Sequence, residues 1–134
     1  MTSRELIDFC LNFPDVYEDY PFDAPANLYN SWAVICHRVN KKSFAFIYER
    51  GRRLCVNLKC EPSEADFLRG VFEDVTLGYH MNKTHWNTVN LGGDVQEGEL
   101  QRMVEQSYNL IKPKMKRKKD EKRYIKLDEE MQNE

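Results

Sequence analysis

The sequence contains no uninterrupted apolar run approaching the roughly 18 residues that span a bilayer. Its opening, Met1-Thr2-Ser3-Arg4-Glu5, turns at once into an amphipathic pattern, with no basic segment leading into an apolar one. Neither a membrane span nor a secretion signal is expected, and the chain reads as soluble and cytoplasmic. A large charge excess is also missing: 20 Lys and Arg stand against 22 Asp and Glu, for a net charge of −2. That balance lacks the global basic signature of a strong nonspecific nucleic-acid binder, so any such site must be a local patch. The four cysteines, Cys10, Cys36, Cys55 and Cys60, form no C-x-x-C pair and sit in or beside apolar runs. They read as reduced, buried thiols rather than a disulfide framework. No Gly-rich phosphate loop and no G-x-S-x-G occurs, which leaves nucleotide hydrolysis and serine-hydrolase chemistry without a foothold. There is no repeat at a fixed period.

What is present suffices for one domain: 134 residues, 41% apolar and 12% aromatic. Leu6, Ile7, Phe9, Cys10 and Phe13 recur at helical spacing behind a Thr2/Glu5 capping box, predicting a first helix over residues 3–12. Phe13-Pro14 ends it. Residues 15–27 read as a Pro- and acid-rich connector. Residues 28–59 are aromatic and β-branched, broken by Asn40-Lys41-Lys42-Ser43 and Arg50-Gly51-Arg52, which predicts a three-strand antiparallel meander. In the second strand Phe44, Phe46 and Tyr48 should share one face opposite Ala45 and Ile47. In the third, Leu54, Val56 and Leu58 should face the core and leave a largely polar second face.

Pro62 suits the first position of a second helix with Ala65, Leu68, Val71 and Phe72 facing inward, ending near residues 70–72. Residues 76–81 and 86–91, joined at Asn82-Lys83-Thr84, read as a further hairpin. Asp94, with Glu97 three residues on, is the expected cap of a third helix, whose stripe is Leu100, Met103, Val104, Ser107, Leu110 and Ile111. Pro113 closes it. The expected fold class is α+β, an antiparallel sheet of about five strands packed on helices over residues 1–113. A charged, flexible tail is expected over residues 114–134.

Charge is segregated along the chain. Residues 1–37 hold one basic and six acidic residues, a net of −5, and residues 38–59 hold seven basic and one acidic, a net of +6. Residues 112–123 hold eight basic and two acidic, again +6, and residues 124–134 a net of −3. A basic sheet segment with interleaved aromatics can hold nucleic acid by releasing phosphate counterions and stacking on bases. It can equally be a solvated face whose lysines guard a sheet edge. Meander geometry predicts that Lys41, Lys42, Lys59, Lys83 and His85 gather at one end of the sheet.

The densest group of reactive side chains is Tyr79-His80-Met81-Asn82-Lys83-Thr84-His85-Trp86. Its two histidines are five apart in a predicted hairpin, without the i, i+4 helical spacing of a zinc-binding H-E-x-x-H. Cys60 and a histidine would make a thiolate pair only if the fold brought them together. Glu18, Asp19 and Asp23 lack the spacing and glycine of a calcium loop. No metal, cofactor or catalytic residue is assigned.

Several of these segments form one larger pattern. They are Phe13-Pro14, Glu18-Asp19-Tyr20-Pro21-Phe22, and Asn57-Leu58-Lys59-Cys60-x-Pro62. The longest is Gly78-Tyr79-His80-Met81-Asn82-Lys83-x-His85-Trp86-Asn87-Thr88-Val89, followed by Ser107-Tyr108. Together they resemble the bacterial YjbR/MmcQ family, over about residues 3–113. The resemblance implies a CyaY-like, frataxin-like fold and a DNA-binding role with a double-wing arrangement. The acidic net charge and the basic tail depart from the family pattern. Carried onto this chain, the pattern points to Lys59, His80, Asn82, Lys83, His85 and Trp86. Lys59 and Lys83 would meet phosphate and Trp86 would stack, unless Trp86 is core.

The leading expectation is thus a nonenzymatic, monomeric binding module for DNA, using Lys41, Lys42, Lys59, His80, Asn82, Lys83, His85 and Trp86. The alternative is a small-ligand or metal-handling protein, using Asp15, Glu18, Asp19 and Asp23 or the His80/His85 pair. A third reading is a protein-interaction domain whose segregated charge attracts a complementary partner.

Overall fold

The computed structural model describes residues 1–22 and 32–113. Helix α1, Ser3–Leu11, begins at Thr2, whose hydroxyl accepts from the Glu5 N–H while the Glu5 carboxylate accepts from the Thr2 N–H. This is the capping box expected from the sequence. Strand β1, Val16–Asp19, follows, then β2, Ala33–His37, β3, Ser43–Arg50, and β4, Arg53–Lys59. Helix α2 is Pro62–Val71, and β5, Val75–Leu77, and β6, Trp86–Asn90, precede helix α3, Glu97–Ile111. The six strands form one antiparallel sheet in the order β1-β2-β3-β4-β6-β5.

The α+β class and the antiparallel sheet are those read from the sequence. The sixth strand is β1, inside the segment read as a connector. Val16 faces the core and Glu18 shares its face, reaching Arg4 of α1 through two hydrogen bonds. Four residues beside two prolines are too short a run for alternation to be distinguished from a polar loop. The expected tail, and the residues of the meander before Trp32, lie outside the described residues.

All three helices lie against one face of the sheet, where Leu6, Ile35, Ile47, Val56, Val89 and Val104 are fully buried. Helix α3 has no side-chain cap at its N-terminus, and its N-cap is Gln96, not Asp94. Asp94 serves a different end: its carboxylate accepts from the N–H groups of Glu73 and Asp74, fixing the entry to β5. What holds α3 is its apolar face, since burying each side chain of Leu or Met size contributes roughly 1.5–3 kcal/mol. Tyr108 is part of that face, whereas Leu110 is exposed. In α2, Ala65 and Leu68 are buried but Val71, in the last helical turn, is 53% exposed.

A bulge corrects the expected parity of β3. Ile35 pairs with Ala45 and Cys36 with Ser43, so Phe44 has no partner opposite it. The extra residue turns Phe44 towards the helices, where it is fully buried and packs edge-on against Phe13 and Tyr108. Ser107 of α3 takes up backbone groups there, donating to the Phe44 carbonyl at 2.6 Å and accepting from the Lys59 N–H at 2.9 Å. The β3–β4 connection is a two-residue turn, Gly51-Arg52, with positive φ at both positions, the backbone that suits the twist of a tight hairpin.

Candidate functional site

Register decides which candidate residues meet. The start of β3, the end of β4 and the start of β6 are at the same end of the sheet, with Ala45 opposite Leu58 and Lys59 opposite Trp86. The Cys60 N–H donates to the His85 carbonyl at 2.8 Å, extending that pairing by one residue. Lys41, Lys42, Lys59, Lys83 and His85 thus share one end, about 10 Å wide from β3 to β6. The Lys41-Lys42 turn is built by Asn40, whose Oδ1 accepts from the Lys42 N–H at 3.0 Å and whose Nδ2 donates to the Ile111 carbonyl at 3.0 Å. The C-terminus of α3 therefore lies against this turn.

Two of the expected site residues are occupied locally. Asn82 Oδ1 accepts from the N–H groups of Thr84 and His85, and Lys83 Nζ donates to the Gly78 carbonyl at 2.9 Å. Both brace the loop over residues 78–85. His80 and Trp86 belong instead to the sheet face away from the helices. His80 stands 4.0 Å from Tyr79 and 6.2 Å from Trp32 between ring centroids, and Trp86 meets Phe46 edge-on at 5.6 Å.

That second face is not the polar, solvated surface expected from β4. Cys55 and Asn57 are buried, because Trp32 and the Tyr79-His80 segment lie over them. Asn57 Oδ1 accepts from the Tyr48 hydroxyl at 2.7 Å and from the Thr88 hydroxyl at 2.6 Å, while Asn57 Nδ2 donates to the Tyr79 carbonyl at 2.8 Å. Thr88 Oγ1 also accepts from the Tyr79 N–H at 2.9 Å. Both backbone polar groups of Tyr79 are thereby tied to the sheet. Burial raises the Tyr48 phenol to about 12, so it remains a hydroxyl donor.

Above this network lies a cavity of about 760 Å³. The Trp32 ring stacks on Tyr48 at 4.0 Å with 8° between planes, and Phe22, Phe46, Tyr79 and His80 complete the aromatic lining. Arg50 Cζ sits 3.9 Å above the Tyr79 ring centre. Of this lining, Tyr79, His80 and Met81 fall in the densest reactive group of the sequence, and His80 alone is among the expected DNA-binding residues. Strand parity, which already puts Phe46 and Tyr48 on one face, extends to Arg50. The usable signal for the network was a polar residue, Asn57 or Thr88, at the centre of an apolar strand.

The other candidates are held apart or differently employed. Glu18 accepts from Arg4 and from the Tyr20 hydroxyl, and the Arg4 guanidinium holds its carboxyl below the ordinary value. Asp19 Oδ1 accepts from the Tyr20 N–H, and Asp23 lies outside the described residues. Among the described residues no three His, Cys, Asp or Glu side chains are grouped to hold a metal ion. All four cysteines are buried; burial pushes the Cys10 thiol up to about 12 and raises Cys55 and Cys60. Cys60 does adjoin His85, but through their backbones, and its raised thiol is the reverse of an activated thiolate. Among the described residues no helix is long and apolar enough to cross a membrane.

The YjbR family model matches residues 11–110, which contain the whole sheet end, the loop over residues 78–85 and all the lining of the cavity. The chain belongs to the YjbR family. It is 34% identical over 122 residues to the protein YjbR of Escherichia coli (strain K12), a match covering 88% of this chain and 96% of that one. It is 35% identical over 122 residues to YyaQ of Bacillus subtilis (strain 168), covering 84% and 100%. A Deinococcus radiodurans crystal structure with a DUF419 domain superposes with a TM-score of 0.74 at 27% identity, covering 95% of this chain and 88% of that one. A Pseudomonas syringae crystal structure superposes at 0.68 and 27% identity, covering 84% and 100%. This YjbR-family chain thus shares its fold with both of these solved structures.

Proposed function

We propose that this YjbR-family chain is a nonenzymatic DNA-binding module that engages the phosphate backbone with the Lys41-Lys42 end of its sheet. The observation that carries this reading is the Asn40 Nδ2 hydrogen bond to the Ile111 carbonyl. It sets the end of α3, from which the basic sequence over residues 112–123 continues, beside the turn that carries Lys41 and Lys42. Two segments of +6 each, far apart in sequence, thus start from one place. Lys41 and Lys42 are exposed, and Lys59 extends the positive edge along the neighbouring strand, beside His85. Such a group neutralises phosphates and releases counterions, a contribution independent of base sequence. The family resemblance, with its CyaY-like fold and double-wing DNA-binding role, agrees with the reading.

The test is fluorescence anisotropy of labelled duplex DNA at two salt concentrations. The intact chain is compared with Lys41→Ala/Lys42→Ala and with a chain ending at Pro113. Binding should weaken steeply with salt, and loss of two phosphate contacts should flatten the log–log salt slope by about 2. Both altered chains should bind more weakly than the intact one. Absence of binding at low salt would overturn the proposal.

A further inference from the structure

The cavity on the second face of the sheet stands apart from the basic end and plays no part in the DNA reading. We propose that it is a binding site for a planar aromatic ring carrying one anionic group, a mononucleotide or an aromatic carboxylate. Its volume of about 760 Å³ falls in the range of small-molecule sites, roughly 300–1,000 Å³. The walls favour a flat ligand. The Trp32 and Tyr79 ring centres are 6.2 Å apart with 30° between planes, His80 is tilted against both, and Phe22 is 60% exposed at the edge. Leaving this much ring surface in water is unfavourable unless something covers it.

Arg50 supplies the second half of the specificity. The face of its guanidinium is spent on Tyr79, yet among the described residues no carboxylate pairs with it and no carbonyl accepts from it. Its N–H edges remain available for a bidentate contact with a carboxylate or phosphate. Among the described residues lining the cavity Glu49 is the one carboxylate, and it limits the charge the site accepts. The site is also preorganised. Tyr79 is fixed at both its N–H and its carbonyl by Thr88 and Asn57, and Tyr48 is fixed beneath Trp32, so little ordering is lost on binding.

The test is titration of the full chain with adenosine monophosphate, adenosine, phenylacetate and inorganic phosphate, followed by the Trp32 indole N–H and the Tyr79 and His80 amides in two-dimensional NMR. A ring with an anionic group should give saturable shifts at these positions. Arg50→Ala should weaken it about tenfold while leaving adenosine unchanged, the worth of one charge-assisted contact. Inorganic phosphate alone should not saturate. Saturation by the nucleotide only, or by phenylacetate only, supports the site and names the source of the ring. Trp32→Leu should abolish binding; Arg50→Ala, at an exposed position, keeps the test decisive if Trp32→Leu fails to fold. No saturation at millimolar ligand, unaltered affinity in Arg50→Ala, or shifts confined to the Lys41 end would overturn the proposal.

Discussion

Asn57 on β4 holds the Tyr79 backbone across the sheet, donating from Nδ2 to the Tyr79 carbonyl at 2.8 Å while its Oδ1 accepts from two buried hydroxyls. One side chain therefore decides where the Tyr79-His80 wall of the cavity stands. Nothing apolar of similar size can replace three hydrogen bonds from one fully buried position.

Asn57→Leu should accordingly cost about 2–4 kcal/mol, because it strands the Tyr48 and Thr88 hydroxyls and the Tyr79 carbonyl together. Urea unfolding monitored by circular dichroism measures the loss. Amide exchange at Tyr79 and His80 should accelerate more than exchange in α1. A loss below 1 kcal/mol, or uniform exchange, would show that the network is dispensable.

Gly78 is constrained by contact rather than by φ. A Cβ there would lie 2.8 Å from both the Cβ and the carbonyl oxygen of Trp86, across the pair in which the Gly78 N–H donates to that oxygen. Gly78→Ala should destabilise the chain by about 1–3 kcal/mol and loosen the whole loop over residues 78–85. Thermal melting and proteolysis within that loop would check this; a variant as stable and as resistant as the parent contradicts it.

His37 predicts a pH dependence. It is fully buried against Phe44 and Tyr108, its Nε2 lies 2.9 Å from the Tyr108 carbonyl, and burial pushes its pKa below the ordinary histidine value. The unfolded chain takes up this proton near about pH 6.5 while the folded chain resists it, so protons favour unfolding. The His37 contribution is full above about pH 6.5 and is lost as pH falls through that value towards the lowered folded one. Glu18 and Asp74, held below their ordinary values by Arg4 and Arg53, remain ionised across this window. Melting temperatures from about pH 8 to about pH 5 should fall more for the parent than for His37→Gln. Equal slopes would refute the assignment.

How far the sequence could be read depended on whether a signal was local. The capping box at Thr2, Pro62 at the head of α2 and the 3.6-residue stripe of α3 declare themselves within a few residues, and each was legible. Asp94 shows where local pattern misleads: its spacing to Glu97 suits a cap, yet backbone N–H groups 20 and 21 residues upstream compete for the same carboxylate and win. The candidate site divided in the same way. The gathering of Lys41, Lys42 and Lys59 follows from hairpin turns alone, whereas the separation of His80 from His85 depends on how Tyr79 is pinned.

By itself the sequence determined the helices, the antiparallel meander and the division of charge into blocks, because periodicity, turn chemistry and charge are properties of neighbouring residues. Only the tertiary structure decided that Phe44 turns inward through a bulge, that Ile111 meets Asn40, and that Trp32, Tyr48, Tyr79 and Arg50 enclose a cavity. Those outcomes join residues up to 71 positions apart, and each depends on competition among partners for space and hydrogen bonds, which no local pattern encodes.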